Sequence, residues 1–519
     1  MDYKVKLKNI GESCILNKVP QDAEIFLSSL IAKNFSNATR DLVFIAQNDA
    51  EMAIAQKQIE FFAPHLEVLN FYAWDCLPYD RASPKPAIIA SRIKTLYRLA
   101  TRDENQKFFI ITSVNSVLQK TIAPNQINNF GLYLQIGSKI SLAQIAEFLV
   151  SKGYERQACA NNVGEFAVRG GLIDIVMEQA ADLIGYRIDF FGDEIESIKV
   201  FDPITQITNE NVKSLQILPA SEVILNQKTV ESFRQKYRQE FGASSISVDD
   251  QLYLAISQMR GYSGMEHWLP FFYQENLVSF FDYLKKPVIF FSDKIFALAL
   301  QRQKLISEYY QARVAEQKIK DGAIYNPITP NLLYFSADEL KENLAKNITI
   351  QFNQFDEAQK NQSILDLEIK AIPDFALAGK SNQRDPIDLL QEFILKNSSV
   401  KNIVFACLTA SFRERISKIF LDYKIATQEI NNFSDLHNIK AGKVATCVLQ
   451  SHFGFYSSDL FFIGEQAIFG EKVIRKKTSA AASQRLIEEG LSIAIDELVV
   501  HRDHGIGRFK GINLIDSGG

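Results

Sequence analysis

The chain has 519 residues, more than one hydrophobic core can use, so we expect several domains of about 100–200 residues each. Hydrophobic residues make up 47% of the composition and charged residues 23%, which is typical of a soluble globular protein. The formal net charge of −4 argues against a broad nucleic-acid-binding surface, and no apolar run approaches the ~20 residues that a membrane span requires.

Residues 20–125 alternate between helix-like and strand-like segments. The predicted helices are Ala23–Lys33, Met52–Phe62 and Ile88–Ala100, and the predicted strands are Leu42–Ala46, Glu67–Tyr72 and Phe108–Thr112. This alternation predicts a parallel sheet with crossover helices. The stretch before the first strand, NIGESCILNKVPQDAEIFLSSLIAKN, has no GxxxxGK[ST] motif, so we expect no nucleotide cofactor and no catalytic site in this chain.

The stretch Gly164–Pro203 predicts a β-rich domain. Its three apolar-rich runs are Phe166–Val176, Tyr186–Phe191 and Glu194–Phe201. Gly192-Asp193 separates the last two runs, and a two-residue connection that contains glycine predicts a β-hairpin.

Alternation of side chains along the second run separates a core face from an unusual outer face. It directs Ile188 and Phe190 to the core and directs Arg187, Asp189 and Phe191 to the opposite face, where Arg169 of the preceding run can pair alongside. Arginine beside an aromatic ring is the composition of a protein–protein anchor. The alternative is a solvated face with one stray aromatic, which the pattern alone slightly favours because single exposed apolar residues are normal.

After this stretch the chain returns to α/β character. The predicted helices are Ser232–Glu240, Asp249–Met259 and Phe296–Ala315, and the predicted strand is Lys286–Ser292. Because these elements resume the earlier pattern, we predict that the β-rich domain is inserted between two halves of one α/β unit.

A second, small α/β domain is predicted to start at Asn347. Its predicted strands are Ile348–Phe352, Asn402–Cys407, Lys443–Leu449 and Leu460–Ile463, and its predicted helices are Pro386–Lys396 and Phe412–Asp422. The triplet Gly379-Lys380-Ser381 lacks the upstream glycine of a phosphate-binding loop, so we interpret it as an ordinary loop.

Neither a metal site nor a disulfide framework is predicted. The five cysteines are far apart and never form a CxxC pair, which is typical of a protein in the reducing cytoplasm. His267, His452, His501 and His504 have too few potential co-ligands nearby, so we favour structural roles for them.

Three motifs carry a resemblance to a known family. The string RGGLIDI followed by YRIDFFGDEIESI resembles the partner-binding domain shared by the excision-repair protein UvrB and the transcription-repair coupling factors. The segments WDCLPY and HRDHGIGRFKGI are similar to coupling factors as well. The resemblance implies docking on UvrA through Arg169, Arg187 and Phe191. Since alternation singles out the same residues, we now favour the protein–protein anchor over the solvated face.

The fold class that we expect is α/β multidomain. The resemblance implies a degenerate helicase-like α/β unit in two halves, residues 1–126 and 218–346, with an inserted UvrA-binding β-rich (α+β) domain at residues 127–217. A small α/β domain of unknown role at residues 347–470 would follow, and then a linker at residues 471–490 that contains a charge run.

Residues 491–519 resemble the start of a β-barrel module that binds the RNA polymerase β subunit. The resemblance places Ile515 at an apolar contact position. About 25 residues are too few for such a barrel, so we expect the module to be truncated and the helicase-type motor domains of the family to be absent.

Three functions compete at this point. The first is a non-catalytic N-terminal part of a coupling factor, cytoplasmic, that recruits UvrA to RNA polymerase stalled at DNA damage in transcription-coupled nucleotide excision repair. The alternative is the full family's ATP-dependent translocase, with ATP and magnesium as cofactors and double-stranded DNA as partner, but its motor is missing. The third is a DNA-damage sensor like UvrB. The net negative charge of the chain argues against a DNA-damage sensor. The loop Phe71–Lys85 argues against it as well, because it is too short for the long DNA-inserting hairpin of UvrB.

Overall fold

A computed structural model describes residues 3–8, 10–35, 40–128, 130–179, 182–242, 250–316, 324–355, 363–396, 402–440, 443–470, 498–501 and 505–508. The chain divides into two compact units, Met1–Gly470 and Glu471–Gly519. Within the described ranges, no helix has the length and apolar character to cross a membrane.

The strands are, in chain order, β1 (Cys14–Asn17), β2 (Leu42–Ala46), β3 (Val68–Phe71), β4 (Phe109–Ser113), β5 (Leu132–Gln135), β6 (Glu155–Arg156), β7 (Glu165–Arg169), β8 (Leu172–Gln179), β9 (Asp182–Phe191), β10 (Glu194–Phe201), β11 (Thr208–Val212), β12 (Ser214–Ile217), β13 (Val288–Ser292), β14 (Ile348–Phe352), β15 (Ser363–Asp366), β16 (Lys370–Ala371), β17 (Asn402–Cys407), β18 (Thr427–Glu429), β19 (Val444–Val448), β20 (Gly454–Tyr456), β21 (Leu460–Gly464), β22 (Leu498–His501) and β23 (Gly505–Arg508).

The α-helices are α1 (Tyr3–Lys8), α2 (Glu24–Ala32), α3 (Asp49–Phe62), α4 (Pro86–Thr101), α5 (Val114–Val117), α6 (Pro124–Ile127), α7 (Leu142–Ser151), α8 (Gln227–Phe241), α9 (Gln251–Ser257), α10 (Leu269–Phe272), α11 (Ile295–Glu316), α12 (Pro330–Leu333), α13 (Ala337–Ala345), α14 (Phe375–Asn382), α15 (Pro386–Lys396), α16 (Ala410–Asp422) and α17 (Glu465–Phe469). Short 3₁₀ helices span Gln21–Ala23, Lys33–Phe35, Met265–Trp268, Phe280–Tyr283 and Phe433–Asn438.

The first sheet has seven parallel strands in the order β15-β1-β14-β13-β2-β4-β3. Strand β13 follows the β-rich stretch in sequence, yet it pairs with β2, which precedes that stretch. Both strands are continuous buried apolar runs, as a parallel strand covered on both faces requires. The chain segments on either side of residues 127–217 therefore build one sheet together.

The predicted membership of one strand is wrong. We assigned Ile348–Phe352 to the small α/β domain, but this strand, β14, lies in the first sheet between β13 and β1, and β15 pairs with β1 at the sheet edge. The expected boundary at residue 347 therefore falls inside the first sheet. The apolar run is enough to predict a buried strand. It cannot predict which sheet the strand joins, because the hydrogen-bonding partners of β14 lie far away in the sequence.

The inserted β-rich region forms a six-stranded sheet in the order β11-β10-β9-β8-β7-β6. The strands are antiparallel except for the β6–β7 pair. One face packs against α7 and the two-stranded β5–β12 sheet around a core that includes Phe166, Ile175 and Ile188. The apolar-rich run Phe166–Val176 contributes two strands, because Gly170-Gly171 turns the chain and divides it into β7 and β8.

The third sheet has the order β16-β20-β21-β17-β19-β18 and is mostly parallel. It packs on the first α/β layer: the Phe26 ring meets the rings of Phe433 and Phe455 at centroid distances of 5.5 and 5.0 Å. The carboxylate of Asp22 accepts hydrogen bonds from the backbone N–H of His452 and Gly454, at 3.0 and 2.8 Å.

The interpretation of Gly379-Lys380-Ser381 as a loop is also wrong. The triplet lies within α14, which starts after Asp374, whose side chain accepts from Leu377 N at 2.8 Å. Gly379 is required for packing rather than for phosphate binding, because a Cβ there would lie 2.8 Å from the carbonyl oxygen of Arg384.

The second unit is described only at two short strands. Strands β22 and β23 pair as an antiparallel hairpin. The predicted linker, Ile515 and His504 lie outside the described residues, so the prediction for the polymerase-binding module stays a prediction.

The aromatic loop Phe71–Lys85 is tied down by buried polar contacts to the part of the chain that follows the inserted region. Trp74 Nε1 donates to Glu222 Oε2 at 2.6 Å, and Ser83 Oγ donates to Glu266 Oε2 at 2.7 Å. Glu266 is only 5% exposed, and burial raises its pKa to about 7, which the hydrogen bond from Ser83 only partly offsets.

We therefore predict that Glu266→Gln stabilises the protein most at high pH. The pKa of Glu266 is about 7 in the folded state against 4.5 for the unperturbed group, so folding takes up a proton and stability falls as the pH rises between these values. Glutamine keeps the acceptor for Ser83 but does not ionise. The variant should gain about 1–3 kcal/mol over wild type between pH 4.5 and pH 8 in urea unfolding.

The exposed residue Glu342, on α13, provides the matched control. Glu342→Gln should leave the pH profile of stability unchanged. A Glu266→Gln profile parallel to wild type across this pH range would contradict the assignment.

Candidate partner-binding face

Arg169, Arg187 and Phe191 lie on one face of the six-stranded sheet, which we call the docking face. Directly paired residues on neighbouring antiparallel strands point to the same side. Leu172 of β8 pairs with Arg169 on one side and with Asp189 on the other, so Arg169 shares a face with the alternating positions of β9. The structure thus brings the three predicted residues together.

The opposite face of the same strands is core. Ile173 and Ile188 are a directly paired couple, and both are fully buried. The predicted alternation along Tyr186–Phe191 is therefore confirmed, because the period of a strand is two residues whatever it packs against.

Phe191 is the most exposed large hydrophobic residue among those described, with 80% of its surface accessible. It closes β9 just before the turn at Gly192, whose φ of 61° is a left-handed conformation that glycine adopts without strain. Its partner across the hairpin is Glu194, which is also exposed. A whole phenyl ring is therefore held in solvent at the end of a hairpin.

Arg169 is exposed at the end of β7, beside the turn that Gly170 opens. Its Nε and Nη2 atoms donate to the carbonyl oxygen of Ala158, at 3.3 and 3.2 Å. These bonds orient the guanidinium while leaving it unneutralised by a carboxylate among the described residues. Arg169 therefore presents a full positive charge on the docking face.

Arg187 is more deeply engaged than the sequence indicates. Its Nε and Nη2 atoms donate to the two carboxylate oxygens of Asp174 at 2.7 and 2.9 Å, and its side chain is only 20% exposed. The Arg187 guanidinium carbon also lies 5.1 Å from the centre of the Phe201 ring. The hydrogen bonds to Asp174 raise the pKa of Arg187 above its already high value.

Asp174 is the residue that sequence reasoning missed. It is fully buried, next to a small apolar cluster formed by Ala167, Val176 and Phe201. The signal was present as a single acidic residue inside the apolar string GLIDIVM, at a position that alternation places on the docking face. A lone carboxylate in such a string indicates a cation on a neighbouring strand.

A second polar pair extends the docking face toward the sheet edge. Asp189 accepts from Lys199 Nζ at 2.7 Å and from Ser197 Oγ at 2.6 Å. Burial alone would raise the pKa of Asp189, but these two hydrogen bonds outweigh burial and lower it below its usual value. Asp189 is therefore ionised at neutral pH, and its charge is matched within the face.

His267 lies away from the docking face and is buried in the first α/β layer. Its Nε2 is 4.0 Å from Cys76 Sγ, and burial lowers its pKa to about 4, so it is neutral at pH 7. Among the described residues there is no cluster of three or more His, Cys, Asp or Glu side chains that could hold a metal ion.

Comparison with known proteins finds a family model for the domain that carries this face and relatives for the whole chain. A family model described as the UvrB interaction domain matches residues 132–223, which include the whole docking face. The chain is 32% identical over 501 residues to a protein described as transcription-repair-coupling factor from Rickettsia bellii, and 27% identical over 519 residues to the one from Escherichia coli.

These alignments cover 96% and 98% of this chain but 42% and 43% of the two relatives. The chain thus spans about two-fifths of the length of the curated relatives that it matches.

We predict that Arg187→Ala destabilises the fold, because it leaves the carboxylate of Asp174 buried without a partner. Removing one partner of a buried pair costs about 3–5 kcal/mol, and the lower end applies here because Arg187 is partly exposed. Urea unfolding should show this loss at neutral pH.

The double variant Arg187→Ala with Asp174→Asn should recover part of the stability, because the buried charge is gone. Arg169→Ala, which removes an exposed arginine of the same face, should change stability by less than about 0.5 kcal/mol. Equal stabilities of wild type and Arg187→Ala would contradict the role of Asp174.

Proposed function

The chain is similar to the N-terminal part of the transcription-repair-coupling factors over almost its whole length, and on this premise we propose that it recruits UvrA to RNA polymerase stalled at DNA damage. The description of the relatives supports a role that joins transcription to repair, and the matched UvrB interaction domain supports the docking of a repair protein. The step is transcription-coupled nucleotide excision repair, in which this chain supplies binding and not catalysis.

The observation that carries the proposal is the exposed ring of Phe191 beside two arginines on one sheet face. Leaving a phenylalanine in water forfeits about 1.5–3 kcal/mol of burial free energy, which a partner with a matching pocket recovers. Aromatic and arginine side chains dominate the energetics of protein–protein interfaces, since they bury large areas and form several hydrogen bonds each.

The three residues would contribute in different ways. Phe191 supplies the apolar anchor. Arg169 supplies a charge that no described carboxylate neutralises, and this favours an acidic or carbonyl-rich patch on UvrA. Arg187 is held rigid by Asp174 and offers the N–H donors that remain free to a partner, so little conformational entropy is lost when it binds.

Two further partners belong to the whole coupling factor. We propose that residues 491–519 begin the module that binds the RNA polymerase β subunit, with Ile515 as an apolar contact. Double-stranded DNA and ATP would be engaged by motor domains that lie outside this chain. The resemblance of HRDHGIGRFKGI to coupling factors supports the first of these proposals.

We predict that Phe191→Ala weakens binding of UvrA by the 519-residue chain at least about 30-fold, the effect of losing ~2 kcal/mol at a hot spot. Arg169→Ala should weaken it as well, with an effect that shrinks as salt rises because the lost interaction is electrostatic. Calorimetric titration of UvrA at two salt concentrations measures both effects.

Ile207→Ala is the matched control, since Ile207 is a second exposed apolar residue of the inserted region, 63% accessible, in the β10–β11 connection and not at the turn that follows Phe191. The control should bind UvrA like wild type. None of the three side chains, Phe191, Arg169 and Ile207, is packed in the core, so all three variants should keep the wild-type melting temperature. Unchanged affinity of Phe191→Ala would reject the docking face as the UvrA site.

A further inference from the structure

A cleft lies where the inserted region meets helix α4 of the first α/β layer, near the C-terminal end of β8. We call it the α4 cleft. It has a volume of about 310 Å³ and is lined by Lys94 and Tyr97 of α4, Glu178 of β8, Tyr186 of β9 and Tyr154. Clefts of about 300–1,000 Å³ between domains, with aromatic walls and a few polar groups, are where small ligands bind.

The tyrosine walls of the α4 cleft are fixed by hydrogen bonds. Tyr97 Oη accepts from Gln216 Nε2 at 2.7 Å, and Tyr154 Oη donates to the carbonyl oxygen of Leu218 at 2.8 Å. The cleft is therefore preformed, and a ligand would not have to order these side chains.

Two charged groups in the α4 cleft have unused bonding capacity. Glu178 Oε2 is buried and has no hydrogen-bond partner in the described part of the chain, and the Lys94 ammonium lies near it on α4 without a hydrogen bond to this oxygen. Burial raises the pKa of Glu178, although the nearby Lys94 ammonium opposes this. A buried carboxylate oxygen without a donor is unfavourable, and a ligand that brings N–H groups would satisfy it.

The required ligand has three parts: adjacent N–H donors for the carboxylate, a planar ring for the tyrosines, and an anionic group for Lys94 of α4. Guanine meets the first two requirements. Its pairing edge presents N1–H and the N2 amino group side by side, which match the two oxygens of a carboxylate, whereas adenine presents one donor and one acceptor on that edge. A phosphate supplies the anion.

We propose that the α4 cleft binds a guanine nucleotide, with the base on Glu178 and the phosphate toward Lys94. The volume admits one nucleotide and not a strand. The site is separate from the carboxyl ends of the parallel strands of the first sheet, where nucleotides bind in folds of this kind. It is also distinct from the proposed UvrA contacts, because Arg169, Arg187 and Phe191 do not line it.

The test is calorimetric titration of the 519-residue chain with guanosine monophosphate, with adenosine monophosphate as the comparison. We expect saturable binding of the guanine nucleotide and an affinity for the adenine nucleotide at least about tenfold lower, the discrimination given by one well-placed pair of hydrogen bonds. Equal affinities, or no saturation with guanosine monophosphate at ~10 mM, would overturn the proposal.

Two variants test the residues separately. Glu178→Gln should reduce the preference for guanine over adenine to less than about twofold, because the amide offers only one acceptor. Lys94→Gln should lower the affinity for guanosine monophosphate to that for guanosine, while leaving guanosine binding unchanged.

The matched controls are Glu155→Gln and Lys139→Gln, both exposed positions of the inserted region that do not line the cleft. Both should bind guanosine monophosphate like wild type. Circular dichroism melting shows whether each variant is folded, and the base preference of the wild-type chain does not depend on any variant. An undiminished base preference in folded Glu178→Gln would overturn the assignment of Glu178.

Discussion

The bidentate ion pair between Asp174 and Arg187 is the interaction on which the docking face depends. A carboxylate without solvent exposure is tolerated only if both oxygens are bonded, and Arg187 bonds both. This requirement links β8 to β9 at one register, because a shift of one residue would place Asp174 opposite an apolar side chain of the core face. The pair thus specifies strand pairing and holds one arginine in position, and the positions of Asp189, Arg169 and Phe191 follow from the same register.

Most charged side chains of the docking face are paired with a side chain of opposite charge on the same face. Asp174 is matched by Arg187 and Asp189 by Lys199, while Arg169 is bonded only to a backbone carbonyl oxygen. A partner would therefore meet one uncompensated positive charge and one exposed ring. This favours a small, specific contact over broad attraction to polyanions, which agrees with the net negative charge of the chain.

Both ends of the inserted region connect to strands of the first sheet. Strands β2 and β13, which precede and follow it, are neighbours in the first sheet, so its entry and exit are anchored in the same layer. On the inner side, Arg92 of α4 is paired with Glu222 at 3.2 Å, and neither side chain is exposed to solvent. The walls of the α4 cleft come from both the α/β layer and the strands that carry the docking face. The same two strands, β8 and β9, therefore contribute to both proposed binding sites.

The sequence by itself determined the features that depend on local periodicity. The bounds of β2, β10, α15 and β17 agree with the apolar patterns, and the hairpin at Gly192 and the two faces of β9 follow from turn chemistry and the two-residue period. The resemblance supplied Arg169, Arg187 and Phe191, and alternation placed them together. Only the tertiary structure decided which sheet β14 joins, that Asp174 holds Arg187, and that Glu178 faces a cleft beside α4. Each of these depends on partners many residues away in the sequence. A local pattern predicts whether a side chain is buried or exposed, but it does not identify the residues that the side chain contacts.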